Sequence, residues 1–329
     1  MFRHKIIGIV VFLVCSLSYS TAAFSRNVEV GVAAFSVDGV IPARKTIEAF
    51  ENKLGRQIDA LNWFLGFNAD TGDLPEFPLS SLKQNVPSRI IPMLTWEPWG
   101  DAGLKDGHQV TPFDKINEGK LDNYIISYAK AMKAYGKIIR LRFGHEMIQN
   151  DNPVRTIPNF KWYPWQDFPE DYKKAYIRIY SIFKAQGADN VQFVWALNFE
   201  PYFIDVIPKY YPGPNFVDWI GIDGYNWKGQ DFDGVFNKMY RVITGHPEIF
   251  GDKPIMLSEI GAAKADVSSF DKAQWIKDAF SKIELSYPKI SAFYWFNVNK
   301  ERDWRLDESS KSWQAFKNAM GSAIYKPQQ

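Results

Sequence analysis

Cysteine is almost absent from this sequence. The single cysteine among 329 residues, Cys15, lies in an apolar segment near the amino terminus. Basic residues at 3–5, an apolar run at 6–17 and small residues at 18–23 form the pattern of a secretory signal peptide, with cleavage expected near Ala23. Removal of residues 1–23 leaves no thiol for a disulfide, a thiolate metal site or a cysteine nucleophile. We therefore expect a secreted or periplasmic mature chain, residues 24–329, stabilised by packing.

Two other fates of the first residues fit part of the pattern. The apolar run could stay as a membrane anchor, but it is shorter than the roughly 20 residues that a spanning helix needs. Lipoprotein processing at Cys15 would want a small residue before the cysteine, where this chain has Val14. We therefore expect no membrane association of the mature chain.

An excess of either charge is also missing. Without residues 1–23 the chain has 37 basic and 37 acidic residues, which argues against a basic nucleic-acid footprint. Only His108, His145 and His246 follow the expected cleavage site, and they show no metal-ligand spacing. No G-x-S-x-G occurs, which argues against a serine hydrolase built on a nucleophile elbow. We expect a monomer without a metal, a cofactor or a nucleic-acid partner.

Aromatic side chains, by contrast, are abundant. They make up 16% of the residues, with 12 tryptophans. Surplus tryptophan and tyrosine at strand ends suits a sugar-binding cleft, because the apolar faces of pyranose rings stack on aromatic rings. An aromatic-rich core is the alternative interpretation.

The order of apolar runs predicts the fold class. Strands are predicted at residues 28–35, 58–67, 89–96, 138–146, 191–198, 217–225, 254–259 and 290–296. Helices are predicted at residues 43–54, 121–135, 169–186, 232–244, 271–286 and 309–323. Eight apolar strands alternating with helices, without a linker or repeat, indicate an α/β fold, a single-domain (β/α)8 TIM barrel. A doubly wound open sheet would carry a glycine-rich loop after its first strand, which residues 32–36 do not provide.

Two of the predicted strands end in a carboxylate. The fourth ends at Glu146, beside His145, and the seventh ends at Glu259. Strands four and seven lie on opposite sides of a barrel mouth, where catalytic groups of this fold are found. Paired carboxylates hydrolyse glycosides, one protonating the leaving oxygen while the other attacks the anomeric carbon or activates water. Alternatively, each glutamate is a rim carboxylate satisfied by an arginine such as Arg142.

Five segments carry a family resemblance. They are RFGHEM at 142–147, WYPW at 162–165, VWALN at 194–198, DWIGIDGYN at 218–226 and PIMLSEIG at 254–261. In this order they resemble glycoside hydrolase family 26, over most of the mature chain. The resemblance implies a retaining glycosidase in which Glu146 is the general acid/base and Glu259 the nucleophile.

The resemblance also implies roles for residues around the two glutamates. Tyr225 matches a tyrosine whose phenol hydrogen-bonds the nucleophile, and His145 a residue that binds substrate or tunes the acid/base. Arg142 would add positive charge below the cleft, or satisfy barrel carboxylates. Stacking platforms are expected at Trp162, Trp165 and Trp295, and further cleft contacts at Trp96, Glu97 and Asn198.

Two departures from the family pattern bear on the substrate, a β-linked polysaccharide. A longer, polar loop at residues 148–161 separates the Glu-Met pair from the following tryptophan. Mannan-cleaving members would present a histidine near the end of strand three, where this chain has Trp96-Glu97-Pro98-Trp99. This favours a mixed-linkage β-1,3-1,4-glucan over β-1,4-mannan. The alternative function is a non-catalytic carbohydrate-binding barrel associated with exopolysaccharide.

Overall fold

The computed structural model describes residues 26–106, 108–148, 162–198, 205–263 and 270–326. The predicted signal peptide, its cleavage site and residues 149–161 of the long loop lie outside these ranges. No helix within the described ranges combines the length and the apolar character needed to cross a bilayer.

Eight parallel strands close into a barrel, in the order β1-β10-β9-β8-β7-β6-β3-β2, which confirms the predicted TIM barrel. The strands are β1 (Glu29–Ala34), β2 (Ala60–Asn68), β3 (Ile91–Trp99), β6 (Ile139–Phe143), β7 (Val191–Asn198), β8 (Trp219–Asn226), β9 (Ile255–Ala262) and β10 (Ile290–Phe296). Two further strands, β4 (Gly103–Lys105) and β5 (His108–Val110), pair with each other as a separate antiparallel ribbon.

The helices lie in the connections between the strands, except α10, which follows the last strand. They are α1 (Arg44–Leu54), α2 (Leu79–Asn85), α3 (Asp114–Asn117), α4 (Asp122–Tyr135), α5 (Pro169–Ala185), α6 (Ile207–Tyr210), α7 (Phe232–Gly245), α8 (Pro247–Phe250), α9 (Lys272–Ser286) and α10 (Ser310–Ala319). The six predicted helices correspond to α1, α4, α5, α7, α9 and α10. The others are missed because four to seven residues carry too few turns for a helical period to show.

Local chemistry explains where several helices begin. Asp231 and Asp271 accept hydrogen bonds from backbone N–H groups in the first turns of α7 and α9, and Ser309 does the same for α10. Pro169 begins α5, a position where its missing N–H costs nothing. These caps set the ends of the helices that cover the barrel.

Side chains alternate between two apolar layers. Large rings such as Trp63, Trp96 and Trp195 lie in the outer layer between strands and helices. The second layer is rich in small or unbranched residues, including Ala60, Met93, Ala196, Met256 and Ala292, because an eight-stranded barrel has little room inside. Polar side chains that share this narrow interior must therefore find partners there.

Candidate active site

Arg142 occupies the centre of a polar network inside the barrel. Its side chain is fully buried; Nε donates to Oγ1 of Thr95 at 2.8 Å, and Nη1 to both carboxylate oxygens of Asp223 at 2.9 and 2.8 Å. Nη2 donates to Oε1 of Glu259 at 2.5 Å. Burial alone would lower the pKa of Arg142, but the two carboxylates outweigh it and raise that pKa. The guanidinium is therefore a fixed positive charge.

Further hydrogen bonds connect the network to other strands. Thr95 Oγ1 donates to Oδ1 of Asn62 at 2.8 Å, and Nδ2 of Asn62 donates to the backbone carbonyl of Ala33 at 3.0 Å. Ser258 Oγ donates to Oδ1 of Asp223 at 2.5 Å. Six strands thus contribute to holding Arg142, so it has little freedom to move.

A bulge in β9 directs Glu259 into the barrel. Gly221 and Asp223 on β8 pair with Met256 and Glu259 on β9, so two steps along one strand match three along the other. The extra residue lets Ser258 and Glu259, although adjacent, both contact the interior network. Oε1 of Glu259 accepts from Arg142, and Oε2 accepts from the phenol of Tyr225. Each oxygen of the carboxylate is thus oriented by a separate donor.

Glu146 lies just past the end of its strand, in a strained turn. The predicted strand 138–146 ends at Phe143, since Gly144 and Glu146 both have a φ of 51°. A positive φ is uncommon outside glycine and marks strain held by the surrounding structure. The backbone N–H of Glu146 donates to the carbonyl of Ala196 at 3.1 Å.

The surroundings of Glu146 favour its protonated form. Burial raises the pKa of its carboxyl well above the ordinary value, and the negative charges of Asp223 and Glu259 raise it further. Arg142 and Lys300 oppose that shift. A carboxyl that keeps its proton near neutral pH is what a general acid requires.

His145 is buried beside Glu146, in surroundings that favour the neutral imidazole. Burial lowers the pKa of its imidazole well below the ordinary value, and the charges of Arg142 and Lys300 lower it further. Within the described part of the chain, Nδ1 of His145 has no hydrogen-bond partner. The ring lies among Phe64, Tyr163 and Trp165, with centroids 5.0 to 5.9 Å away.

The same side chains include a set of metal-ligand types. One candidate ligand atom from each of His145, Asp223 and Glu259 lies within 4.8 Å of the others. Arg142 already donates to both carboxylates, so a divalent cation there would meet a fixed positive charge. The donor set therefore suits the arginine better than a metal ion.

Two further residues interact electrostatically with the glutamates. Burial raises the pKa of the Glu97 carboxyl, and Nε1 of Trp99 donates to its Oε2 at 3.1 Å. Burial also raises the pKa of Tyr163, and the charge of Glu146 adds to that shift. Glu97 thus interacts with Arg142 and Glu259, and its contact with substrate stays a prediction, whereas Tyr163 and Trp99 were not singled out from the sequence.

The structure corrects the expectations for Trp96 and Trp295. Both are fully buried in the outer layer, Trp96 stacked on Tyr128 at 4.4 Å and Trp295 beside Phe280 at 6.4 Å. Side chains alternate along a strand, so a residue next to an inward-facing one points away from the cleft. Neither ring presents a surface to a sugar.

Trp165 is also buried and therefore not a stacking platform. Tyr163 stacks on its ring at 4.4 Å with an interplanar angle of 12°. Trp162, by contrast, is 44% exposed, and its role as a platform stays a prediction. Asn198 is buried, with Nδ2 donating to the carbonyl of Ile148 at 3.1 Å. Its Oδ1 has no partner among the residues that the structure describes, so a sugar-hydroxyl contact also stays a prediction.

Asp223 and Gln166 were missed by sequence reasoning. Asp223 precedes Tyr225 by two residues on one strand, so the same alternation that directs Tyr225 inward could have identified it. Gln166 is buried, and Nε2 donates to the backbone carbonyl of Glu146 at 2.8 Å. No local pattern marks such a contact, because its partners are 20 residues apart in the sequence.

The sequence of this chain is similar to a family model and to two curated proteins. Residues 157–318 match the model of glycosyl hydrolase family 26. The chain is 33% identical over 342 residues to Endoglucanase H of Acetivibrio thermocellus, covering 97% of this chain and 34% of that protein. It is 25% identical over 170 residues to Mannan endo-1,4-beta-mannosidase A and B of Caldalkalibacillus mannanilyticus, covering 49% and 29%. The chain thus spans about a third of the length of these curated relatives.

Solved structures share the fold. A GH26 beta-mannanase from Bacteroides ovatus superposes with a TM-score of 0.61 at 17% identity, over 91% of this chain and 90% of that one. A double mutant of an endo-beta-1,4-mannanase from Cellulomonas fimi gives a TM-score of 0.63 at 15% identity, over 91% and 72%. These likenesses concern the barrel architecture.

Proposed function

The chain belongs to glycosyl hydrolase family 26, and we propose that it is an endo-β-glycanase that cleaves a β-linked polysaccharide with retention of configuration. One observation carries the proposal: two glutamates at the barrel mouth have opposite environments. Burial, together with nearby negative charge, favours the protonated form of Glu146, whereas both oxygens of Glu259 accept hydrogen bonds from fixed donors. Different environments for two carboxyls are what separate acid and nucleophile roles require.

In the first step, Glu146 donates its proton to the glycosidic oxygen as the bond to the anomeric carbon breaks. A carboxylate oxygen of Glu259 attacks that carbon, which forms a covalent glycosyl-enzyme and releases the shortened chain. Arg142 and Tyr225 act by orienting the attacking carboxylate.

In the second step, Glu146 acts as a base. It takes a proton from water, whose oxygen attacks the anomeric carbon while the bond to Glu259 breaks. The second inversion restores the original configuration, and Glu146 is protonated again for the next cycle. The carboxyl therefore gains and loses one proton per turnover.

We propose a mixed-linkage β-1,3-1,4-glucan as the preferred substrate. The alignment with Endoglucanase H covers nearly the whole chain, whereas that with the mannosidase covers about half. At the end of β3 this chain presents Glu97 and Trp99 instead of a histidine. Mannan is the second candidate. Exposed or half-buried rings lie at the end of β3 (Trp99), after β6 (Trp162) and after β8 (Trp227). Rings at several strands suit an extended chain and hence internal cleavage.

The substrate is tested with purified protein on lichenan, mannan, carboxymethyl cellulose and β-1,3-xylan. We expect reducing ends from lichenan at the highest rate, and none from the Glu259→Ala variant. Proton NMR of the first product should show the β-anomer before mutarotation. Cleavage of neither lichenan nor mannan would refute the substrate proposal.

A carbohydrate-binding barrel without catalysis is the rival function. Such a protein would retain lichenan in affinity electrophoresis but release no reducing ends. The strained turn at Glu146 argues against it, because strain of this kind persists at sites where it serves a reaction.

We also propose that residues 1–23 direct export and are then removed. The basic, apolar and small-residue order of this segment supports the proposal. Intact-mass measurement of the protein from the culture medium or periplasm should give a chain beginning at Phe24. An amino terminus at Met1 would contradict it.

A further inference from the structure

The turn that carries Glu146 needs support from outside its strand. Its φ of 51° places a non-glycine residue in the left-handed region, which costs on the order of 1–3 kcal/mol. Gly144, two residues earlier, has the same φ, so two of these three consecutive residues have a left-handed backbone conformation. Such a backbone keeps one conformation only where neighbouring groups hold it.

Two buried side chains donate to the peptide groups on either side of the Glu146 Cα. Nε1 of Trp165 donates to the backbone carbonyl of His145 at 2.7 Å. Nε2 of Gln166 donates to the backbone carbonyl of Glu146 at 2.8 Å and reaches that of Ile148 at 3.4 Å. Because the first two carbonyls flank the Cα, these bonds restrain both dihedral angles that aim the carboxyl.

The donors are themselves held in place. Tyr163 stacks on the Trp165 ring, and Trp99 packs edge-on against it at 5.1 Å. Oε1 of Gln166 accepts from the backbone N–H of Trp162 at 3.1 Å, so its amide cannot turn over without losing that bond. The two residues therefore form a rigid clamp on the turn.

We propose that Trp165 and Gln166 are positioning residues that fix the Glu146 carboxyl in line with the leaving oxygen, an inference that rests on the proposed function. Neither touches the substrate; each acts through the Glu146 backbone. Proton transfer depends steeply on geometry, so loosening the turn should slow the acid-dependent step more than substrate binding.

The test removes one donor at a time. Trp165→Phe keeps a buried ring without the N–H, and Gln166→Leu keeps similar volume without the amide. Trp275→Phe and Asn190→Leu are matched controls: Trp275 donates its indole N–H to the carbonyl of Gln230, and Asn190 donates its amide to two carbonyls, of Met132 and Lys137. Thermal unfolding of all four variants measures the structural effect.

The readout compares two leaving groups. Lichenan has a poor one and needs the acid, whereas a 2,4-dinitrophenyl β-glycoside of the same oligosaccharide leaves without protonation. We expect each clamp variant to lose about 10- to 100-fold in kcat on lichenan, part of the roughly 10²- to 10⁴-fold that acid catalysis supplies. KM on lichenan and the glycosylation rate with the activated substrate should change less than about threefold, a small fraction of that acid contribution.

Other outcomes separate the two proposals. If a clamp variant lost the same factor in rate on both substrates, the clamp would be only structural. The same conclusion would follow if a control variant with the same unfolding temperature lost as much kcat on lichenan. A wild type that cleaves neither substrate would refute the proposed function, and the positioning role with it. If Gln166→Leu does not fold, Trp165→Phe decides the matter, because it removes the indole N–H and keeps an aromatic ring, and Trp275→Phe controls for the smaller size of that ring.

Discussion

Two arginines on one strand, Arg140 and Arg142, show how differently the two ends of this barrel use the same residue. Both are buried on β6, and both point inward because they are two residues apart. Arg140 donates to both carboxylate oxygens of Glu29, at 2.6 and 2.9 Å, and to the phenol of Tyr294 at 2.8 Å. Arg142 donates to two carboxylates, those of Asp223 and Glu259, and interacts with a third carboxyl, that of Glu146.

The difference lies in the balance of charge. At the amino-terminal end one guanidinium faces one carboxylate, and its Cζ lies 4.3 Å from the centroid of the Trp219 ring. At the carboxyl-terminal end one buried guanidinium faces Asp223 and Glu259, and Glu146 adds a further carboxyl. Burial raises the pKa of Glu146, and the surplus of negative charge there raises it further. We infer that the first layer stabilises the barrel, whereas the second favours the protonated Glu146 that the proposed acid role requires.

The largest contrast should come from removing one carboxylate at each end. We expect Glu259→Ala to lower kcat by about 10⁴-fold or more, as for loss of a covalent nucleophile, with little loss of stability. Glu29→Ala should leave Arg140 buried with neutral partners only. This should cost about 3 kcal/mol, the low end for a broken buried pair because Glu29 is partly exposed. Lichenan assays measure kcat, and urea unfolding measures stability. If both variants lost kcat and stability to a similar extent, the difference between the two ends of the barrel would be refuted.

Removal of one tyrosine hydroxyl at each end of the barrel extends this comparison of the two ends. Tyr225→Phe takes a donor from Glu259, and a hydrogen bond to a charged group is worth about 1.5–3 kcal/mol, or about 10- to 100-fold in kcat. Tyr294→Phe takes an acceptor from Arg140 and should lower stability by about 1–3 kcal/mol without changing kcat. Steady-state kinetics and thermal unfolding of both variants provide the check. A loss of kcat in Tyr294→Phe would show that the two layers are coupled.

The smallest effect concerns stability and pH. The folded-state pKa of Glu146 lies above its ordinary value of 4.5, so its stabilising contribution is present below that value and is lost as pH rises through the folded pKa. Glu146→Gln removes this loss. It should raise the unfolding temperature by about 2 to 4 °C at pH 8, with no gain near pH 4. Glu29→Gln, at the end of the barrel where one guanidinium faces one carboxylate, should lower the unfolding temperature. Calorimetry between pH 4 and pH 8 provides the measurement. A gain for Glu146→Gln of the same size at both pH values would contradict the prediction.

Much of this architecture could be predicted from local patterns. Eight apolar runs and six long amphipathic stretches indicated the barrel, because burial on both faces of a strand and on one face of a helix leaves a periodic record. The glutamates after strands four and seven stood out as single acidic residues at the ends of apolar runs. The roles of Tyr225 and His145 came from the family resemblance and not from spacing.

Other features were invisible to that reasoning. Trp96 and Trp295 carry the residue type of a sugar platform, but the alternation along their strands turns them toward the helices. Simple alternation would also direct Glu259 away from the cleft, and the bulge in β9 directs it inward. A bulge is a relation between two strands, so neither strand alone reveals it.

The order of residues thus predicted the eight barrel strands, the six longer helices and the acidic residues that follow strands four and seven. Only the closed barrel decided which side chains face inward, that Arg142 bonds Asp223 and Glu259 together, and that Gln166 reaches the backbone of Glu146. The physical reason is the distance along the sequence between the residues that interact. Periodicity and chain chemistry act between near neighbours, whereas register, shared hydrogen bonds and shifted pKa values arise between residues that meet only when all eight strands pack together.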